Sequence, residues 1–139
     1  MDIYEATQAL LTEALPGANV TYYLLTYDEQ REQFELPAFP AVTYLYSNQT
    51  AIVCQGYPTG LYRVMLDVEI WGALEDVSRL ADDLNEAVNA KRITVENVVF
   101  TIIVQESRDI YDMGLDFHHR LMRFGGLVEI DEVEDDESR

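Results

Sequence analysis

The chain is poor in the residues that build most catalytic and metal sites. A single cysteine, Cys54, in 139 residues excludes an internal disulfide and a cysteine-built zinc cluster. The default for such a lone cysteine, in a short strand beside Val53, is a buried small hydrophobe. The only two histidines, His118 and His119, are neighbours. Neighbours in a strand point to opposite faces, so the pair cannot chelate one metal, and pairing with a nearby carboxylate is the expected role. Basic residues are scarce: 9 Lys and Arg stand against 26 Asp and Glu, a net charge of −17, which excludes the basic footprint of an ordinary nucleic-acid binder. No apolar run approaches the roughly 20 residues of a membrane-spanning helix. Met1-Asp2-Ile3-Tyr4-Glu5 offers no basic leader region, so no secretory signal is expected and the sequons at Asn19 and Asn48 read as chance matches.

The usual motifs of chemistry are also missing. There is no phosphate-binding G-x-x-x-x-G-K-[ST] loop and no G-x-S-x-G elbow. Asp109, Asp112 and Asp116 lack the D-x-D-x-D-G spacing and distant bidentate Glu of a calcium loop. Carboxylate pairs occur throughout so acidic a chain and single out no site. The expectation is therefore a non-enzyme with no catalytic residues, no cofactor and no metal.

Hydrophobic residues at 48% exclude wholesale disorder, and the length predicts one domain. The acid is uneven: seven carboxylates lie between Glu129 and Glu137, and with Arg139 this end carries −6, leaving −11 for the rest. Like charges at that density repel and stay solvated. We read 1–130 as a single α+β domain and 131–139 as a disordered acidic tail.

Residues 2–15 place Ile3, Ala6, Leu10, Leu11 and Leu15 at helical spacing, with Asp2 as the N-cap and Pro16-Gly17 as the stop. Val20–Leu25 reads as a strand, and 27–40 as a charged surface loop with one helical turn over 29–34. Ala41–Ser47 is a strand, Ser47-Asn48-Gln49 a turn, Ala51–Gln55 a short strand, and Gly56–Gly60 a second turn. The clearest strand follows, where Tyr62, Val64, Leu66, Val68 and Ile70 alternate with Arg63, Met65, Asp67, Glu69 and Trp71. Gly72 ends it. Leu74, Val77, Leu80, Leu84 and Val88 then trace one stripe of an amphipathic helix over 74–90. Asn97–Gln105 is a strand apolar on both faces, 107–114 an irregular acidic corner, and Leu115–Phe124 a last strand ended by Gly125-Gly126. Strands in consecutive runs with two separated helices predict a mainly antiparallel or mixed twisted sheet, with the N-terminal helix and the central amphipathic helix packed on one face. Trp71 falls on the opposite face, as a packing residue or as a contact anchor.

In this order the elements resemble the tail-completion, or tail-terminator, family of long-tailed bacteriophages. The stretches that carry the likeness are the N-terminal helix, Phe39-Pro40-Ala41-Val42-Thr43-Tyr44 entering a strand, and the alternating strand Tyr62–Gly72 running straight into the helix Glu75–Ala90. Arg108-Asp109-Ile110-Tyr111-Asp112 and the strand with His119-Arg120-Leu121-Met122-Arg123-Phe124 close the pattern. It covers 2–128; the charged loop at 27–38 and the acidic end after Glu129 depart from the family core.

The resemblance implies a structural virion protein without catalysis. It would be made in the host cytoplasm and reside at the head–tail junction, or neck, of the phage. It implies a homo-oligomeric ring, usually of six copies, that caps the tail tube and meets the tail tube protein on one side and the head connector on the other. Six copies at −17 would carry −102, so DNA would pass through without specific binding. On the residues themselves, the sheet face bearing Trp71, Arg63 and Glu69 is the candidate oligomer interface. The alternative is an acidic DNA mimic, inhibitor or adaptor, which would require carboxylates spaced like phosphates over a rigid face.

Overall fold

A computed structural model of the chain describes residues 1–22, 26–28, 33–35, 38–110 and 117–131, with the backbone alone described at 26–28, 33–35, 57 and 58. Helix α1 (Ile3–Ala14) starts where the sequence places its cap. Asp2 accepts the Glu5 backbone N–H at 2.8 Å, and the Asp2 N–H donates to the Glu5 carboxylate at 3.3 Å, a reciprocal capping box. Ile3, Ala6, Thr7, Leu10 and Leu11 form its buried face. Thr7 tolerates burial because its hydroxyl donates to the Ile3 carbonyl at 2.6 Å. That uses its only proton, so the Tyr46 hydroxyl, 2.6 Å away, donates to it.

The strands are β1 (Asn19–Tyr22), β2 (Thr26–Asp28), β3 (Gln33–Glu35), β4 (Ala41–Cys54), β5 (Tyr57–Gly72), β6 (Lys91–Val95), β7 (Val98–Ile110) and β8 (His118–Ile130). Six of them form a curled mixed sheet in the order β1-β4-β5-β8-β7-β6. Only β1 and β4 run parallel; every other neighbouring pair in this sheet is antiparallel. Helix α2 (Leu74–Val88) connects β5 to β6. The chain is thus α+β, with two helices among the described residues.

The sheet departs from the sequence expectations at several places, each for a physical reason. Ser47-Asn48-Gln49 is not a turn. Strand β4 runs through it with a register shift between Tyr46 and Asn48, a bulge that absorbs the extra residue while pairing with β5 continues. The chain reverses only at Gln55-Gly56, whose φ values of 52° and 84° suit a two-residue hairpin turn. Thr59 and Gly60 already belong to β5. Cys54 ends β4 at this hairpin and is exposed, not buried. In the segment read as a loop with a helical turn, β2 pairs with β3, so Gln33 and Phe34 are strand residues; 29–32 lie outside the described residues. Ser107–Ile110 continue β7 instead of forming a corner. On β7 the second apolar face is not covered, since Ile103 is 48% exposed. Strand β6 was not expected at all. It is short, it follows a helix directly, and its Lys91-Arg92 start suits the edge position it holds. The tail over 131–139 lies outside the described residues apart from Asp131.

Gly125-Gly126 was expected to end the last strand, yet β8 continues to Ile130. The glycines permit a close strand approach. A Cβ on Gly126 would lie 2.2 Å from the Thr101 carbonyl oxygen and 2.9 Å from the Ile102 Cα, both backbone atoms of β7. A Cβ on Gly125 would press the Gln105 side chain at 3.1 Å.

The core gathers Val64, Leu66, Val68 and Ile70 of β5, Phe100 and Ile102 of β7, Met122, Phe124 and Val128 of β8, and the buried face of α1. Val77, Leu80, Ala81, Leu84 and Val88 of α2 belong to the same cluster. No side chain caps α2 at Ala73, but Glu75 and Asp76 place carboxylates by its positive end. Past its last turn the Asn89 side chain accepts the Val104 N–H at 2.7 Å, tying the helix exit to β7. Beside α1, Tyr4, Tyr22, Tyr44 and Tyr46 meet edge to face, and the Tyr44 hydroxyl donates to Gln8 at 2.9 Å.

Two predictions follow from this packing. Gly126→Ala must push β7 and β8 apart, so urea denaturation should show a loss of about 3 kcal/mol, at the upper end of overpacking costs; a loss under about 1 kcal/mol would contradict the close approach. Burial holds the Tyr46 phenol, and to a lesser extent that of Tyr44, above the ordinary tyrosine range. An unfolded tyrosine ionises near pH 10, before these folded ones, so their contribution is complete below about pH 10 and lost as pH rises above it. The urea midpoint should therefore fall between about pH 9 and 11, and fall less in Tyr46→Phe, which costs about 1 kcal/mol at neutral pH through its lost hydrogen bond. Equal alkaline losses in the two proteins would contradict the assignment.

Candidate protein–protein interface

The period of two along β5 sends Val64, Leu66, Val68 and Ile70 into the core and turns Arg63, Met65, Asp67, Glu69 and Trp71 to the other face. The strand registers then align these residues with others in rows across the sheet. Ala41, Trp71, His119 and Ile110 form one row. Thr43, Glu69, Leu121 and Arg108 form the next, and Leu45, Asp67, Arg123 and Glu106 the third.

In the first row the Trp71 indole lies flat on the His119 imidazole, with ring centroids 3.5 Å apart and an interplanar angle of 15°. The indole N–H donates to the Thr43 hydroxyl at 3.4 Å. Phe117 approaches the indole at 6.0 Å and in turn meets Phe39 at 4.9 Å. His119 is buried, and its Nε2 lies 2.8 Å from the Glu69 carboxylate. His118, its neighbour, turns to the opposite face, the side of Met122 and Phe124, and is exposed because it stands at the start of β8. Trp71 thus packs within this face, yet it stays half-buried and is linked through Phe117 to Phe39, which is 44% exposed.

The third row is electrostatic. Arg123 donates from Nε to Asp67 at 2.8 Å and from Nη2 to the other carboxylate oxygen at 3.3 Å, a bidentate pair between β8 and β5. Its Nη1 lies 3.5 Å from Glu106 on β7, and Glu106 also pairs with Arg108. The hydrogen bonds to Asp67 hold the Arg123 guanidinium above its ordinary pKa. Farther along, Met65, Ile103 and Leu127 surround the bare Gly125, and Ile103 and Leu127 are exposed.

Of the three residues read as an interface, the structure brings Trp71 and Glu69 together through His119. Arg63 shares their face but lies eight residues from Trp71 along β5, roughly 26 Å at strand rise, and makes no ion pair among the described residues. The sequence reading missed His119, Arg123, Thr43, Phe39 and Phe117 as members of this surface. The odd-numbered alternation of β8, which pairs Arg123 with Asp67, was the available signal.

The face as a whole is electrically distinct from the chain. Arg63, Arg92, Arg108 and Arg123 are matched by Asp67, Glu69, Glu106 and Glu129, so it is formally neutral on a protein of net −17. Among the described residues no group of three or more metal-ligating side chains occurs, and Asp109, one of the acids weighed for calcium, pairs with Arg120 at 2.9 Å; Asp112 and Asp116 lie outside the described residues. Nor is any helix among them long and apolar enough to cross a membrane. No known family model matches the chain, and no curated protein matches it.

Proposed function

We propose that this chain is a structural protein of the phage head–tail junction that closes the tail tube as a ring, six copies being the number the family likeness implies. The observation that carries the reading is the neutral outer face of the sheet. Self-association of a −17 chain is opposed by charge everywhere except where charge cancels. That face cancels four arginines against four carboxylates and carries Trp71 and Phe39 at one end and Ile103 and Leu127 at the other. Partly exposed aromatics and apolar side chains on a neutral ground have the make-up of a subunit contact. A ring requires that this patch meet a different patch on the next copy.

The element order supports the likeness: α1, β4 entered from Phe39-Pro40, β5 passing into α2, and β8 carrying His119–Phe124. Within the same proposal residues 1–130 act as one domain, and α2 lies with α1 on the apolar face of the sheet. The partners would be the tail tube protein below and the connector above, with DNA passing through a lumen whose negative charge keeps phosphates from sticking. Three of the four carboxylates of the sheet face are engaged, Glu69 by His119, Asp67 by Arg123 and Glu106 by Arg108, which favours this reading over phosphate mimicry.

Electron microscopy of phage particles assembled without the chain tests the function. Full heads beside separate tails of irregular length are expected, with joining restored by the wild-type chain and not by Trp71→Ala. That variant should remain folded, since Trp71 is only half-buried, and lose about 1–2 kcal/mol with its ring contacts. Normal joined particles in the absence of the chain would contradict the proposal.

A further inference from the structure

Strand β6 is the last strand of the sheet. Its five residues pair with β7 on one side, and no strand pairs with its other edge among the described residues. Beside it, between the C-terminal ends of α1 and α2, runs an open groove of about 740 Å³. Its floor is apolar, with Leu10, Ala87 and Ile93, while Glu13, Asp83 and Glu86 stand at its rim. Arg79 reaches Asp83 at 3.9 Å, but Glu13 and Glu86 have no ion pair among the described residues. Neither helix has a basic residue in its last turn, so the negative ends of both helix dipoles add to the rim charge. The one cation of the lining, Lys91, directs its ammonium to the Glu86 carbonyl at the end of α2.

We propose that this edge and groove bind an extended, basic segment of another protein, which adds a strand to β6. The open edge supplies main-chain donors and acceptors. Every second side chain of the added strand would face the groove. Lys or Arg suits those positions, since its aliphatic stem covers Ile93 and Ala87 while the charge reaches Glu13 and Glu86. An extended peptide lacking cations would leave the rim uncompensated. A second copy of this chain is disfavoured as occupant, because at −17 it would bring like charge to an acidic groove. The proposal is independent of the ring reading, which uses the opposite face of the sheet.

The test uses the full chain and a fluorescein-labelled octapeptide in which Thr alternates with Lys and Val, followed by fluorescence anisotropy. Saturable binding is expected, weakened more than ten-fold when Glu replaces Lys in the peptide and weakened likewise in Glu13→Gln/Glu86→Gln. Both substituted side chains are exposed, so the melting temperature of that variant should match wild type. Two further peptides, N-methylated at either the odd or the even positions, separate strand addition from simple charge attraction. One should bind and the other fail, because only one set of amides faces β6. Equal binding of both N-methylated peptides, equal binding of the Glu peptide, or no binding of the Lys peptide would overturn the proposal. So would loss of self-association on Thr94→Pro without any peptide binding, which would assign the edge to a second copy.

Discussion

The alternation of β5 is the constraint on which the rest of the structure depends. Val64, Leu66, Val68 and Ile70 are each 0–2% exposed, and β5 is paired along its length with β4 on one side and β8 on the other. A slip of one residue would turn Asp67 and Glu69 into the core and the four aliphatic side chains out of it. The register is therefore held by burial, and it is the register that stacks Trp71 on His119 and sets Asp67 opposite Arg123. The cross-strand contacts of the outer face are in this sense products of the inner one.

Charge is partitioned in the same way. The sheet's outer face balances its arginines and carboxylates, while the helices carry most of their charge as unmatched acid. α2 alone has Glu75, Asp76, Asp82, Asp83 and Glu86 against Arg79. A protein arranged like this resists indiscriminate association yet retains one face on which contact costs no charge repulsion, and one acidic groove suited to a cation. In the proposed ring the two surfaces serve different neighbours.

How much of this was legible in the sequence depends on whether the deciding contact is local. The N-cap at Asp2, the stripe Val77–Leu80–Leu84 and the alternation of β5 are written in residues a few positions apart, and the structure has each of them. Gly126 illustrates the opposite case. A glycine pair reads equally as a strand end or as a close approach, and only the Thr101 carbonyl, 25 residues away in the chain, decides between them. Ser47–Gln49 has turn composition but is drawn into a bulge because β5 offers a long partner. β6 was hidden by its brevity and its charged start. On the candidate surface, the alternation of β5 places Trp71, Arg63 and Glu69 on one face, but His119, which joins Trp71 to Glu69, comes from a strand some 50 positions on, and its face is set only by the register.

The most direct measurement is the position of the chain in an intact particle. An epitope-tagged copy, labelled with gold and imaged by cryo-electron microscopy of joined phage particles, should appear as one cluster at the head-proximal end of each tail, with the density there forming a closed ring. Label spread along the tail, confined to the head interior, or absent from purified particles would contradict a terminator at the head–tail junction.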